Sequence, residues 1–69
     1  MIIKTKNPKY RIRLTRAYLV EVVDENEHVV EHEVLGQRAV LDSYCFGTKE
    51  QAIKEGLMMI NWKESENDG

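Results

Sequence analysis

The stretch His28-Val29-Val30-Glu31-His32-Glu33-Val34-Leu35-Gly36-Gln37-Arg38-Ala39-Val40-Leu41-Asp42-Ser43-Tyr44-Cys45-Phe46 decides the fold. Apolar and polar residues alternate on both sides of Gly36-Gln37, and alternation with a period of two is the mark of a half-buried strand. Gly36-Gln37 fits a two-residue hairpin turn with glycine at its first central position, the type II′ class. That turn pairs Leu35 with Arg38, Val34 with Ala39, His32 with Leu41, Val30 with Ser43 and His28 with Cys45. One face then holds Val30, His32, Val34, Ala39, Leu41 and Cys45. The other holds Val29, Glu31, Glu33, Leu35, Arg38, Val40, Asp42 and Tyr44. The first set is the more apolar and is assigned to the core.

Upstream, Asp24-Glu25-Asn26-Glu27 is a polar turn, and Tyr10 to Val23 reads as one long first strand. Tyr10, Ile12, Leu14, Tyr18, Val20 and Val22 share one parity, and Lys9, Arg11, Arg13, Leu19 and Val23 the other. Arg16 interrupts the apolar parity and marks a bulge or bend, because fourteen residues are long for a strand. Residues 1–8 form a basic arm ending in Asn7-Pro8, with an extended piece at Ile2-Ile3.

Downstream, Thr48 is a good N-cap and Gln51 stands three residues on, which makes a capping box. Ala52, Ile53, Gly56, Leu57 and Ile60 follow as one stripe at helical spacing, widened by Met59, with Met58 and Trp62 four apart on a flank. Gly56 costs a helix interior roughly 1 kcal/mol relative to alanine; its missing side chain lets the helix approach the sheet. The expected fold is α+β: a three-stranded antiparallel meander with one C-terminal helix on one face, β-β-β-α. It spans residues 9–63, between the basic arm 1–8 and an acidic disordered tail 64–69.

Sixty-nine residues make one domain. A chain this short buries only about 60% of the surface its unfolded form exposes. Cys45 is the single cysteine, so no internal disulfide can staple the fold, which points to a reducing cytoplasmic setting. Self-association is the remaining staple to expect. The start Met1-Ile2-Ile3-Lys4 lacks an apolar stretch of signal-peptide length, and the runs Ala17 to Val20 and Leu57 to Ile60 are too short to span a bilayer.

Net charge is −2, yet Lys4, Lys6, Lys9, Arg11, Arg13 and Arg16 crowd the first sixteen residues, and all twelve acidic residues come later. Such segregation marks either a basic binding arm or two halves that neutralise each other across paired strands. A nucleic-acid module would use Lys9, Arg11 and Arg13 to hold phosphates, with Arg38 and Tyr44 on the same uncovered face. A protein-binding module would use the mixed apolar and charged open face, or the unpaired outer strand edges.

Chemistry finds little footing. His28, His32 and Cys45 are the soft metal ligands, expected on one side with His28 opposite Cys45, but zinc normally takes four ligands and the carboxylates point away. Cys45 with His28 supplies two parts of a nucleophilic site, in a core position that discourages ionisation of the thiol. The four glycines, Gly36, Gly47, Gly56 and Gly69, are scattered and build no phosphate-cradling loop. Gly47-Thr48 opens a helix N-terminus whose ordinary role is a turn. No catalytic residue, cofactor, metal or small-molecule substrate is expected. The expected partner is an unidentified protein or a second copy, with DNA as the alternative.

Phe46-Gly47-Thr48-Lys49-Glu50-Gln51-Ala52 follows a hairpin strand and opens a helix. Through Phe46, Thr48, Lys49, Glu50 and Ala52 it resembles the strand-to-helix junction of the amino-terminal arm-binding domains of phage and transposon integrases. That resemblance implies a three-stranded sheet on one helix, DNA reading by the sheet, and a phage or mobile-element origin. The likeness does not extend to the sheet residues that would touch bases, and those domains are usually basic. The junction is also similar to that of antitoxins with a partial ribonuclease-H-like fold, where a further strand follows the helix.

Overall fold

The computed structural model describes residues 1–15, 18–45 and 47–66. The chain runs β1 (Ile2–Lys4), β2 (Tyr10–Leu14), β3 (Leu19–Asp24), β4 (Glu31–Val34), β5 (Gln37–Val40), β6 (Asp42–Tyr44) and α1 (Lys49–Glu66). It is an α+β fold with a C-terminal helix packed on an antiparallel sheet. The sheet has four strands in the order β1-β2-β3-β6, and β4 and β5 form a second, two-stranded sheet, in place of the three strands expected.

The first correction concerns residues 10–23. They form a hairpin, not one strand: β2 pairs antiparallel with β3, Ile12 opposite Val22 and Leu14 opposite Val20. Fourteen extended residues would reach about 46 Å, whereas the longest dimension of the domain is 32 Å. Folding back brings both apolar runs under one helix. The reversal is closed by Tyr18 N–H donating to Thr15 O at 3.1 Å and Thr15 N–H to Leu19 O at 3.1 Å, with Tyr18 in the left-handed region at φ 56°. Each even-numbered residue of β2 faces an even-numbered residue of β3, so the expected face survives the new topology. The bulge expected at Arg16 lies outside the described residues.

The next reversal repeats that pattern. Glu27 N–H donates to Asp24 O at 3.0 Å, Asp24 N–H donates to His28 O at 2.9 Å, and Glu27 sits at φ 64°. The Asp24 carboxylate also accepts the N–H groups of Asn26 and His28, at 2.8 and 3.0 Å. Three-residue loops ending in a left-handed residue are a common hairpin class.

The second correction concerns the strand expected over Arg38–Phe46. It divides at Leu41. There Val22 N–H donates to Leu41 O, Leu41 N–H to Val30 O, and Val30 N–H to Val22 O, each at 3.0 Å. This closed ring of three backbone bonds is a branch point. Val29 bridges Val23 on one side of it, and β6 pairs with Leu19–Glu21 on the other. The β4–β5 ribbon departs between them. Phe46, the expected end of that strand, lies outside the described residues.

The ribbon's turn is displaced by one residue from expectation. Val34 pairs with Gln37, so Leu35 and Gly36 are the central pair, at φ 51° and 80°. Two left-handed central residues belong to the type I′ class, whose twist matches that of the flanking strands. His32 therefore faces Ala39 instead of Leu41, although His32 and Ala39 still share a face. From the segment read as an arm, Ile2–Lys4 adds to the sheet as β1, with Ile3 opposite Ile12.

The helix begins as expected. Thr48 N–H donates to Gln51 Oε1 at 3.0 Å, and Gln51 N–H to Thr48 Oγ1 at 3.2 Å. Ala52, Gly56, Met59 and Ile60 face Ile12, Leu14, Val20, Val22 and Leu41 in the core. A Cβ on Gly56 would lie 2.8 Å from both Cδ1 and Cγ1 of Ile12. The glycine is thus what allows helix and sheet to meet. The helix continues to Glu66, and residues 67–69 of the expected acidic tail lie outside the described residues.

Candidate interaction surfaces

Because Ile12 lies under α1, its neighbours Arg11 and Arg13 point to the uncovered sheet face. The register builds two rows of side chains across that face. Ile2, Arg13, Glu21 and Asp42 form one row, and Lys4, Arg11, Val23 and Val29 the other; Val23 is fully buried, so the face is free of the helix but not open along its whole length. Leu19 and Tyr44 form a shorter apolar pair at one end, where Tyr44 is 64% exposed.

The central pair of the charged row is already satisfied. Arg13 donates from Nε to Glu21 Oε1 at 3.0 Å and from Nη2 to Glu21 Oε2 at 3.2 Å, with a longer bond from Nη1 to Glu27 O at 3.4 Å. The hydrogen bond to Glu21 is the main reason that the Arg13 pKa rises above its ordinary value. A two-bond fork of this kind fixes the guanidinium in the plane of its carboxylate. The second row differs: Lys4 stands opposite Arg11, Arg11 lies within electrostatic reach of Asp24, and Arg11 Nη1 is buried without a hydrogen-bond partner among the described residues.

Of the residues proposed for partner contact, Arg11, Arg13 and Tyr44 therefore share one face. Lys9 does not join their strand; it is exposed in the turn before β2, where its N–H donates to Asn7 Oδ1 at 3.0 Å. Arg38 belongs to the ribbon, opposite Glu33 and 3.5 Å from the Glu31 carboxylate. The branch at Leu41 separates Arg38 from Tyr44, which a continuous strand would have kept together.

The same branch disperses His28, His32 and Cys45. His28 is exposed beside Asp24 at one end of β3. Cys45 lies at the other end, its N–H donating to Tyr18 O at 3.2 Å. His28 is thus not opposite Cys45. His32 is buried against Trp62, ring centroids 4.3 Å apart. Among the described residues, no three His, Cys, Asp or Glu side chains group as metal ligands would. At Gly47 the Gln51 side chain occupies the space a Cβ would take.

Two features were not visible in the sequence. The first is a groove of about 470 Å³ between β1 and α1. Ile3, Ile53, Leu57 and Ile60 give it an apolar lining, and residues 4–7, with Lys4 and Lys6, close one side. Ile53 and Leu57 have the spacing of core residues, which conceals the groove; Leu57 is in fact exposed.

The second is the ribbon tip. Leu35 is 98% exposed, and Val34 and Val40 are exposed behind it. A left-handed backbone costs a residue with a side chain about 1–2 kcal/mol, and Asn-Gly is the usual solution to a type I′ turn. The root of the ribbon, by contrast, is anchored to the helix by the His32–Trp62 contact and by Lys63 Nζ donating to Glu31 O at 2.8 Å.

Among the described residues no helix is long and apolar enough to cross a membrane. No family model, no curated protein and no solved structure matches this chain.

Proposed function

We propose that this domain is a non-enzymatic binding protein that acts through protein–protein contact on the sheet surfaces its helix leaves uncovered. The supporting observation is the pairing of exposed apolar side chains with internally satisfied charge. Tyr44, Val40 and Leu35 stand in solvent, while Arg13, the central cation of the open face, is held by Glu21. Interfaces are built around apolar and aromatic groups of this kind, with charge displaced to the rim. The edge strands β1 and β6 add a route for strand addition.

The test is affinity capture from the source cell with the wild-type chain and a Tyr44→Ser/Leu35→Asn double variant, both checked for folding by circular dichroism. The reading expects a protein retained by the wild type and lost from the variant. Equal retention by both would reject these surfaces.

DNA binding is the second reading. It is favoured by Lys4 and Arg11, two cations opposite each other on neighbouring strands, and by the integrase-like junction through Thr48 and Ala52. Fluorescence anisotropy on generic duplex DNA, at low and moderate salt, decides it. Binding that weakens with salt and is lost in Lys4→Ala/Arg11→Ala would establish phosphate contact. No binding at low salt would end it.

A further inference from the structure

We infer that the domain assembles head to tail with copies of itself, the ribbon tip of one copy seating Leu35 in the groove between β1 and α1 of the next. The inference rests on the protein-binding reading and names a second copy of this chain as the partner.

Four observations converge. Leu35 is a large apolar residue in solvent on a left-handed backbone, and a lone domain gains nothing from either property. Asparagine would avoid both, so the leucine points to a use outside the isolated chain. The groove offers an apolar lining of matching character, and its 470 Å³ lies within the roughly 300–1,000 Å³ range of ligand sites.

Charge is complementary as well. The ribbon carries Glu31 and Glu33 against Arg38, with Lys63 of the helix bonded at Glu31, so Glu33 is the acid nearest the tip; the groove lining includes Lys4 and Lys6 and no acid, and Glu64 reaches it only through Asn7. Finally, the strand order sets tip and groove toward different edges of the sheet. The groove adjoins β1, one edge of the sheet, and the ribbon leaves beyond β3 toward the other. On α1 the ribbon root meets Trp62 and Lys63, while the groove is lined by Ile53, Leu57 and Ile60. Two complementary surfaces facing different ways make a heterologous contact, which closes into a ring or extends as a chain.

Light scattering and sedimentation over a range of about 10 μM to 1 mM, the regime of weak interfaces, provide the test. Two variants block one half of the contact each. Leu35→Asn removes the tip and suits the turn, and Leu57→Asp puts a charge in the groove at an exposed position. The wild type is expected to gain mass with concentration, and each variant alone to remain a single chain with an unchanged circular dichroism spectrum. Mixed, the two variants are expected to form a one-to-one dimer that grows no further, because one supplies a groove and the other a tip.

A wild type that stays monomeric at the highest concentration overturns the inference. If that monomer still captures a foreign protein through Tyr44, the broader binding reading survives its loss. Assembly that persists in Leu35→Asn but disappears in Tyr44→Ser moves the interface to the open sheet face and also overturns the inference.

Discussion

The four-stranded sheet and the β4–β5 ribbon are written in the same alternating pattern but lead different lives. Ile12, Val20 and Val22 of the sheet are fully buried, because α1 lies across them. In the ribbon only His32 is buried, its ring packed against Trp62 of the helix. Alternation makes a strand, but a second layer is what makes it stable. A bare two-stranded hairpin is marginal in water, so this one depends on its root: the three-bond ring at Val22, Val30 and Leu41, and the Lys63 bond to Glu31.

The reversals differ in the same sense. Tyr18 and Glu27 accept left-handed backbones in loops that fold β3 against its neighbours, so their strain is offset by the core they close. Leu35 accepts the same conformation where no described residue covers it.

The contrast is broken most severely by Ile12→Ala. A cavity at that position should cost about 2–5 kcal/mol, enough to unfold much of a domain this small. Val34→Ala on the ribbon should stay within about 0.5 kcal/mol. Urea titration of both variants checks the difference, and equal losses would mean that the ribbon belongs to the core.

Gly56→Ala comes next. The added methyl meets Ile12, which is fully buried and cannot retreat. Overpacking of about 1–3 kcal/mol should outweigh the roughly 1 kcal/mol that alanine adds to a helix. The thermal midpoint should fall, and Ile12→Val in the same chain should recover part of the loss.

A smaller change of opposite sign is expected for Leu35→Asn. Relief of the left-handed leucine should raise monomer stability by about 1 kcal/mol, measured below the concentration at which copies associate. A loss would show that Leu35 packs within its own chain.

A weaker dependence on pH is expected at the Asp24 loop. N–H groups of His28 and then Asn26 donate to the carboxylate and hold the Asp24 pKa below its usual 3.8. A depressed folded pKa means stability that is complete above the unfolded value and is lost as pH falls through the folded one. The thermal midpoint should therefore drop below about pH 4, more steeply in the wild type than in Asp24→Asn. Parallel curves would show that these two hydrogen bonds do not persist in solution. Arg13 stays charged throughout and adds no slope in this range.

Much of the architecture is legible in the residues because its causes are local. The Thr48–Gln51 capping box places the start of α1 within a single turn of chain. Alternation sorts Ile12 and Val22 from Arg11 and Arg13, and that sorting is the same for one long strand or two short ones. Gly56 advertises a close approach of helix to sheet. The candidate surfaces were less visible. Thr15 to Tyr18 contains no glycine, proline or asparagine to announce a reversal, and Leu41 looks like any apolar strand residue although it ends one sheet and begins another. Leucine is also an unexpected occupant of a left-handed turn position, which is why the hairpin lay one residue from Gly36-Gln37.

The chain by itself determined which side of each strand is apolar, because side chains alternate with every residue whatever the partner. Tertiary structure alone decided which strands are partners, and so sent Arg38 and Tyr44 to different sheets. Pairing is a competition among distant segments for β3 and for the cover of α1, settled by how much apolar surface each arrangement removes from water.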